Sequence, residues 1–190
     1  PGAPVALQGT FTDPGLTDTH HAIITWGDGT ETVINEADAG INQTARTFTS
    51  SHAYATGGVF VITVRLFDDD SGSTLNTITA FVTGVSLHDG LLTVIGTQER
   101  DQIHVYRHGN EIRVAARFGL SGQDTGDDSE MEDGGDNDDG HDGWMRWAFT
   151  DSGVTGVRIL VLGADDRVRV GKQISLPTTI VGGAGNDRLR

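Results

Sequence analysis

The sequence predicts an all-β protein, and three observations carry that expectation. Its 190 residues include 27 Gly but only 2 Met. Short segments rich in Val and Thr alternate apolar with polar residues, the two-residue period of half-buried strands. Turn clusters such as Asp13-Pro14-Gly15 and Gly27-Asp28-Gly29-Thr30 separate these segments, and none repeats at helical spacing.

Val5 to Phe11 reads as a first strand, stopped by Asp13-Pro14-Gly15. His21 to Trp26 follows, with Ala22, Ile24 and Trp26 on one face. Gly27-Asp28-Gly29-Thr30 turns the chain into a return strand from Thr32 to Ile34. Glu36 to Gln43 reads as polar loop, and Arg46 to Ser50 as another strand leading into Ser51-His52-Ala53-Tyr54. Gly58 to Phe67 is the clearest strand, with Phe60, Ile62, Val64 and Leu66 facing one way and Thr63 and Arg65 the other. Asp68-Asp69-Asp70 ends it, and Thr74 to Val82 closes the set. About seven turn-separated strands over residues 1–84 predict an antiparallel sandwich of immunoglobulin type.

These residues also carry a resemblance. Phe11-Thr12-Asp13-Pro14-Gly15, Trp26-Gly27-Asp28-Gly29, Ser51-His52-Ala53-Tyr54 and Gly58 to Val64 ending at Asp68-Asp69-Asp70 resemble a PKD domain. The resemblance covers residues from about 4 to 84. It implies an Ig-like β-sandwich that serves extracellular proteins as a spacer or as a contact module for proteins and glycans, without catalysis. It also implies that Trp26 lies between the sheets and Tyr54 near a strand corner.

From residue 85 to 190 a second domain is expected, built of short strands at Leu91 to Ile95, Ile103 to His108, Glu111 to Phe118, Trp144 to Phe149, Val157 to Leu162, Arg167 to Val170 and Thr179 to Val181. Gly109-Asn110 reads as a hairpin turn. The last nine residues, Gly182 to Arg190, fit G-G-x-G-x-D-x-U-x, with U a large apolar residue, at every fixed position. Glycines let such a turn fold so tightly that carbonyl oxygens and the Asp187 carboxylate converge on a hard cation, while Leu189 enters the strand core. Leu162 to Arg169 echoes this pattern, Asp166 matching Asp187 and Val168 matching Leu189. A fainter copy, from Gly96 to His104, has largely lost the glycine core of the turn and is expected to hold no metal.

This half resembles the RTX-like, hemolysin-type calcium-binding repeats of large bacterial surface proteins. The resemblance implies a β-roll or β-helix-like stack of rungs. The candidate calcium residues are Asp165, Asp166, Gly183, Gly185 and Asp187, and the cofactor is Ca²⁺. Ordinary Gly-Asp turns between short strands would produce the same letters.

Residues 121–143 interrupt this half with ten acids and no Lys or Arg. Such a stretch buries too little apolar surface to order itself, so a disordered, solvated insertion is expected, with a weak cation sink as the other reading. Asp136-Asn137-Asp138-Asp139-Gly140 misses the EF-hand spacing, because Gly135 stands where the first carboxylate belongs.

The net charge of −14 disfavours nucleic acid and anionic membranes as partners. No cysteine is present, so no disulfide or thiolate site can staple the fold, and calcium is the expected substitute. No apolar run reaches the roughly 18 residues of a membrane span. Opening on Pro1-Gly2-Ala3-Pro4 and stopping inside a repeat, the sequence reads as a piece of a longer secreted or cell-surface protein.

Other chemistry finds little support. His104 and His108 lack a third ligand. Ser86-Leu87-His88-Asp89 carries triad letters without a nucleophile elbow and reads as an interdomain joint. Asp28 and Asp68 to Asp70 are further calcium candidates, although Asp-rich turns are often only turns. The function expected is a non-catalytic structural or adhesive module whose partners are protein, glycan or copies of itself. The alternative is an accessory module that holds polysaccharide or protein substrate for a secreted hydrolase.

Overall fold

The computed structural model describes residues 1–15, 17–120 and 143–190. The expected disorder of the acidic insertion falls almost wholly on residues 121–142, outside the described set. The chain forms two compact units, Pro1–Val82 and Thr83–Arg190.

The first unit holds β1 (Pro4–Thr10), β2 (His20–Thr25), β3 (Glu31–Ile34), β4 (Ile41–Asn42), β5 (Thr47–Ala53), β6 (Gly58–Asp68) and β7 (Ser73–Val82). One sheet runs β1-β5-β4 and the other β3-β2-β6-β7, and all neighbours pair antiparallel. Alternation drives the layering, because Ala22, Ile24, Ile62, Val64 and Leu66 project from one sheet toward Leu7, Ile41 and Phe48 of the other. The result is a β-sandwich. Phe60, expected in this core, packs against it half-buried. The polar loop at Glu36 to Gln43 contains the short strand β4, whose Ile41 is buried.

Ile78 of β7 is exposed although alternation places it inward. Its register opposite the buried Ile62 turns it to the core face, yet it is 55% exposed. It sits on β7, the last strand of a four-stranded sheet that faces only three strands, and so overhangs the core.

The second unit holds β8 (Gly84–His88), β9 (Leu91–Ile95), β10 (Arg100–His108), β11 (Glu111–Leu120), β12 (Met145–Thr150), β13 (Gly156–Leu160), β14 (Arg167–Val170), β15 (Thr178–Val181) and β16 (Arg188–Leu189). They form two sheets, β15-β13-β9-β8 and β12-β11-β10-β14-β16. The stretch expected as an interdomain joint is strand β8, antiparallel to β9. The hairpin at Gly109-Asn110 joins β10 to β11, with Gly109 at φ 59°.

The central strands pair in parallel. In one sheet β13 lies between β9 and β15, and in the other β14 lies between β10 and β16. Thus Val157 pairs with Leu92 and with Thr178, while Val168 pairs with Ile103 and with Leu189. Leu92, Val94, Ile103, Val105, Ile112, Val114, Val157, Ile159 and Val168 form the core of this unit. Leu189 remains 40% exposed on the last strand, β16.

Candidate functional site

Three turns carry the chain from one sheet to the other, and the parallel pairing within each sheet brings them into register. The first connects β9 to β10, the second β13 to β14, and the third β15 to β16. Asp101, Asp166 and Asp187 occupy equivalent positions at their ends. The backbone N–H of Asp101 donates to Oδ1 of Asp166 at 2.7 Å, across 65 residues. The N–H of Asp166 donates in turn to Oδ1 of Asp187 at 3.0 Å, across 21 residues. The N–H of Asn186 reaches back to Oδ1 of Asp165 at 2.9 Å, again across 21 residues. The aspartates therefore form a ladder, each fixing the backbone of a neighbouring turn.

The first carboxylate in the ladder is saturated. Oδ2 of Asp101 accepts from the Thr97 N–H at 2.7 Å, and its Oδ1 accepts from the Thr97 hydroxyl at 2.8 Å and the Gly119 N–H at 3.0 Å. Asp166 is different. It is 0% exposed, yet its Oδ2 has no hydrogen-bond partner. In the strand register Leu162 and Gly183 stand where Thr97 stands in the first turn, so neither later turn has that hydroxyl.

Burial, followed by the nearby charges of Asp101, Asp187 and Asp165, pushes the Asp166 carboxyl up to about 7, against the opposing pull of the Asp101 N–H. A buried oxygen with no donor and a carboxyl that resists ionisation are both costs of burying an unpaired carboxylate. A bound divalent ion would reverse both.

Gly183 and Gly185 lie at φ 74° and 135°. A Cβ on Gly183 would come within 2.5 Å of the Leu162 carbonyl oxygen, and one on Gly185 would collide with the carbonyl of Ala164. The glycines thus let the third turn press against carbonyl oxygens of the second, a close approach that side chains would block. Ala164 holds φ 68° at the position matching Gly185, a conformation costly for a residue with a Cβ.

The oxygens fit a hard cation in kind. The carboxylates of Asp165, Asp166 and Asp187 do not, however, form a set of three ligand atoms all within 4.8 Å of one another. Two such sets among the described residues lie in the first unit, at Asp13, His20 and Asp68 and at Asp18, Asp68 and Asp69. Sequence reading singled out Asp68 to Asp70 and missed Asp13, Asp18 and His20. The available signal was the acid-bearing stretch between Phe11 and β2, which the fold folds back on the Asp68 turn.

That first-unit cluster already contains a cation, the Arg46 guanidinium. His20 Nε2 lies 3.2 Å from Asp13 Oδ2, and Arg46 lies 3.5 Å from the same oxygen. Burial, then its hydrogen bond with Asp69, raises Asp68 above the ordinary carboxylate range.

Asp28, the other carboxylate considered for calcium, is engaged elsewhere. Its Oδ1 accepts from the Thr30 N–H at 3.0 Å and the Thr30 hydroxyl at 2.6 Å, while Oδ2 meets His52 Nε2 at 2.7 Å. Burial opposes ionisation here too, but these partners outweigh it and hold the carboxyl at about 2. His52 stacks on Trp26 with ring centroids 5.0 Å apart. Trp26 is fully buried, donates its indole N–H to Thr32 Oγ1 at 2.9 Å, and accepts the Tyr54 hydroxyl at its carbonyl, also at 2.9 Å. Trp-Gly-Asp-Gly and His-x-Tyr are therefore two halves of one clasp that ties the β2–β3 turn to β5.

The remaining sequence candidates do not assemble. His104 is buried beside Tyr106 while His108 is exposed, and neither belongs to a three-ligand group among the described residues. His88 and Asp89 form a fully solvated pair. Among the described residues no helix is long and apolar enough to cross a membrane. No protein-family model, curated protein or solved structure matches this chain.

Proposed function

We propose that the chain is a non-catalytic structural or adhesive module of a secreted or surface-attached protein, a PKD-like sandwich followed by an RTX-type β-roll that calcium completes. The observation that carries this reading is Asp166, whose Oδ2 is buried without a donor inside a ladder of aspartate-bearing turns. The rung spacing of 21 residues and the close-packed glycines of the third turn support it.

Asp166 and Asp187 would hold the ion through their carboxylates, Asp165 would add a third, and turn carbonyls near Gly183 and Gly185 would supply further oxygens. Calcium takes six to eight oxygens, more than one turn provides, so the site is shared between rungs. Its charge would relieve the repulsion among the stacked aspartates and couple ion binding to the folding of the second unit. The partners in this reading are surface proteins, glycans or further copies of the chain.

Calcium titration by calorimetry tests it. Uptake by the wild type with an affinity of about 0.1 to 1 mM is expected, as for extracellular modules. Asp187→Ala and Asp166→Asn should each remove that uptake. No heat of binding up to about 10 mM calcium, ten times the weak end of that range, contradicts the reading. So does equal uptake by the wild type and both variants.

A further inference from the structure

Sheet edges are ready templates for another strand, and proteins blunt them by brevity, charge, proline or bulges. Among the described residues nearly every sheet edge is blunted. β4 and β16 are two residues long, β15 is four, and β8 is five. β3 has four residues and begins at Glu31, β1 begins at Pro4, and β12 carries Arg146.

β7 is the exception. It spans ten residues, Ser-Thr-Leu-Asn-Thr-Ile-Thr-Ala-Phe-Val, with no charge, proline or glycine. Its ten-pair register with β6, from Gly58 opposite Val82 to Phe67 opposite Ser73, contains no bulge. It is the last strand of its sheet, and Leu75, Ile78 and Phe81 are 61%, 55% and 50% exposed.

We propose that β7 is a self-recognition edge, pairing antiparallel with β7 of a second copy to join two four-stranded sheets into one of eight. A two-fold axis at Ile78 sets Ile78 opposite Ile78 of the second copy, Leu75 opposite Phe81, and Thr77 opposite Thr79. Every exposed large apolar side chain of the strand then meets another across the seam, on the face its alternation dictates. A two-fold contact requires such self-complementarity.

The symmetry of Leu75, Ile78 and Phe81 selects a second copy, and charge fixes the orientation. Asp68-Asp69-Asp70 lies immediately before β7. Antiparallel pairing puts the two acidic turns at opposite ends of a ten-residue strand, about 30 Å apart and well beyond a Debye length of about 8 Å, whereas parallel pairing would set them side by side. The surface lies in the first unit and does not depend on calcium in the second.

Sedimentation of the whole chain in EDTA tests the proposal, so that failure of the calcium reading leaves it untouched. The wild type should form a dimer between about 10 µM and 0.5 mM, affinities ordinary for a small contact. Ile78→Lys should remain monomeric with an unchanged melting temperature, since the side chain is already 55% exposed.

Cysteine variants read the register directly, because the chain has no cysteine of its own. Ile78→Cys should cross-link to itself on mild oxidation. Leu75→Cys and Phe81→Cys should each fail alone and cross-link when mixed. A wild type monomeric at 0.5 mM, a dimer indifferent to Ile78→Lys, or self-linking of Leu75→Cys in place of Ile78→Cys overturns the proposal.

Discussion

Two turn aspartates, Asp28 in the first unit and Asp166 in the second, meet opposite fates. Both are opposed by burial. Around Asp28 the chain supplies a hydroxyl, an N–H and an imidazole, and the carboxyl falls to about 2. Around Asp166 it supplies one N–H and three further aspartates, and the carboxyl rises to about 7. A folded chain tolerates a buried carboxylate oxygen without a donor only at a cost of roughly 1 to 3 kcal/mol. The contrast teaches that the chain's own donors answer the Asp28 carboxylate, whereas Oδ2 of Asp166 is buried without one.

Four changes break or sharpen this contrast. The largest effect is expected in the first unit. Trp26→Ala removes a fully buried indole together with its bond to Thr32, and should cost about 3 to 5 kcal/mol by chemical denaturation. The transition of the second unit should not move.

Asp166→Asn should act in the opposite direction. Without calcium it relieves a buried, unpaired charge and should raise the second unit's stability by about 1 to 2 kcal/mol, after discounting for solvent screening. The same variant should lose the response to calcium. Destabilisation in EDTA would show that the carboxylate is needed for its backbone bond to Asp101 more than it is penalised for its charge.

Tyr54→Phe deletes only the hydroxyl that donates to the Trp26 carbonyl at 2.9 Å, and should cost about 1 to 1.5 kcal/mol, measurable in urea. The smallest change is a pH effect. Asp28 titrates at about 2 in the folded chain against an ordinary value of 3.8, so its contribution is present above 3.8 and is lost as pH falls from there toward 2. About 1 kcal/mol should disappear in that window, allowing for the group's exposure. Asp28→Asn should flatten that part of the stability profile, and an unaltered profile would show that the clasp holds no shifted carboxyl.

Much of the fold is legible in the sequence because alternation is a local signal. β6 and β9 can be read from their side chains, and the hairpin at Gly109-Asn110 from its two turn residues. β8 was lost because Gly84-Val85-Ser86-Leu87-His88 is short and carries letters that suggest chemistry. The exposure of Ile78 was not legible, since it follows from the number of strands in the opposite sheet. The aspartates of the C-terminal turns were found from their spacing, but the ladder they build was not, because backbone N–H groups leave no mark in a sequence. The Asp13–His20–Asp68 cluster was missed for a related reason, as its members come from the loop after β1, the start of β2 and the end of β6 and meet only after the sandwich closes. At Asp166 one part of the difference is a single residue, Leu162 standing where the first turn has Thr97 and its hydroxyl.

Differential scanning calorimetry of the whole chain, in EDTA and in about 5 mM calcium, tests the central claim most directly at a concentration above the affinity expected of an extracellular site. Trp26→Ala identifies the first unit's transition, the one it lowers. Calcium should raise the melting temperature of the other transition and leave the first in place, and Asp166→Asn should abolish that rise. A calcium shift confined to the first transition, or no shift in either, would contradict the assignment of the ion to the stacked turns.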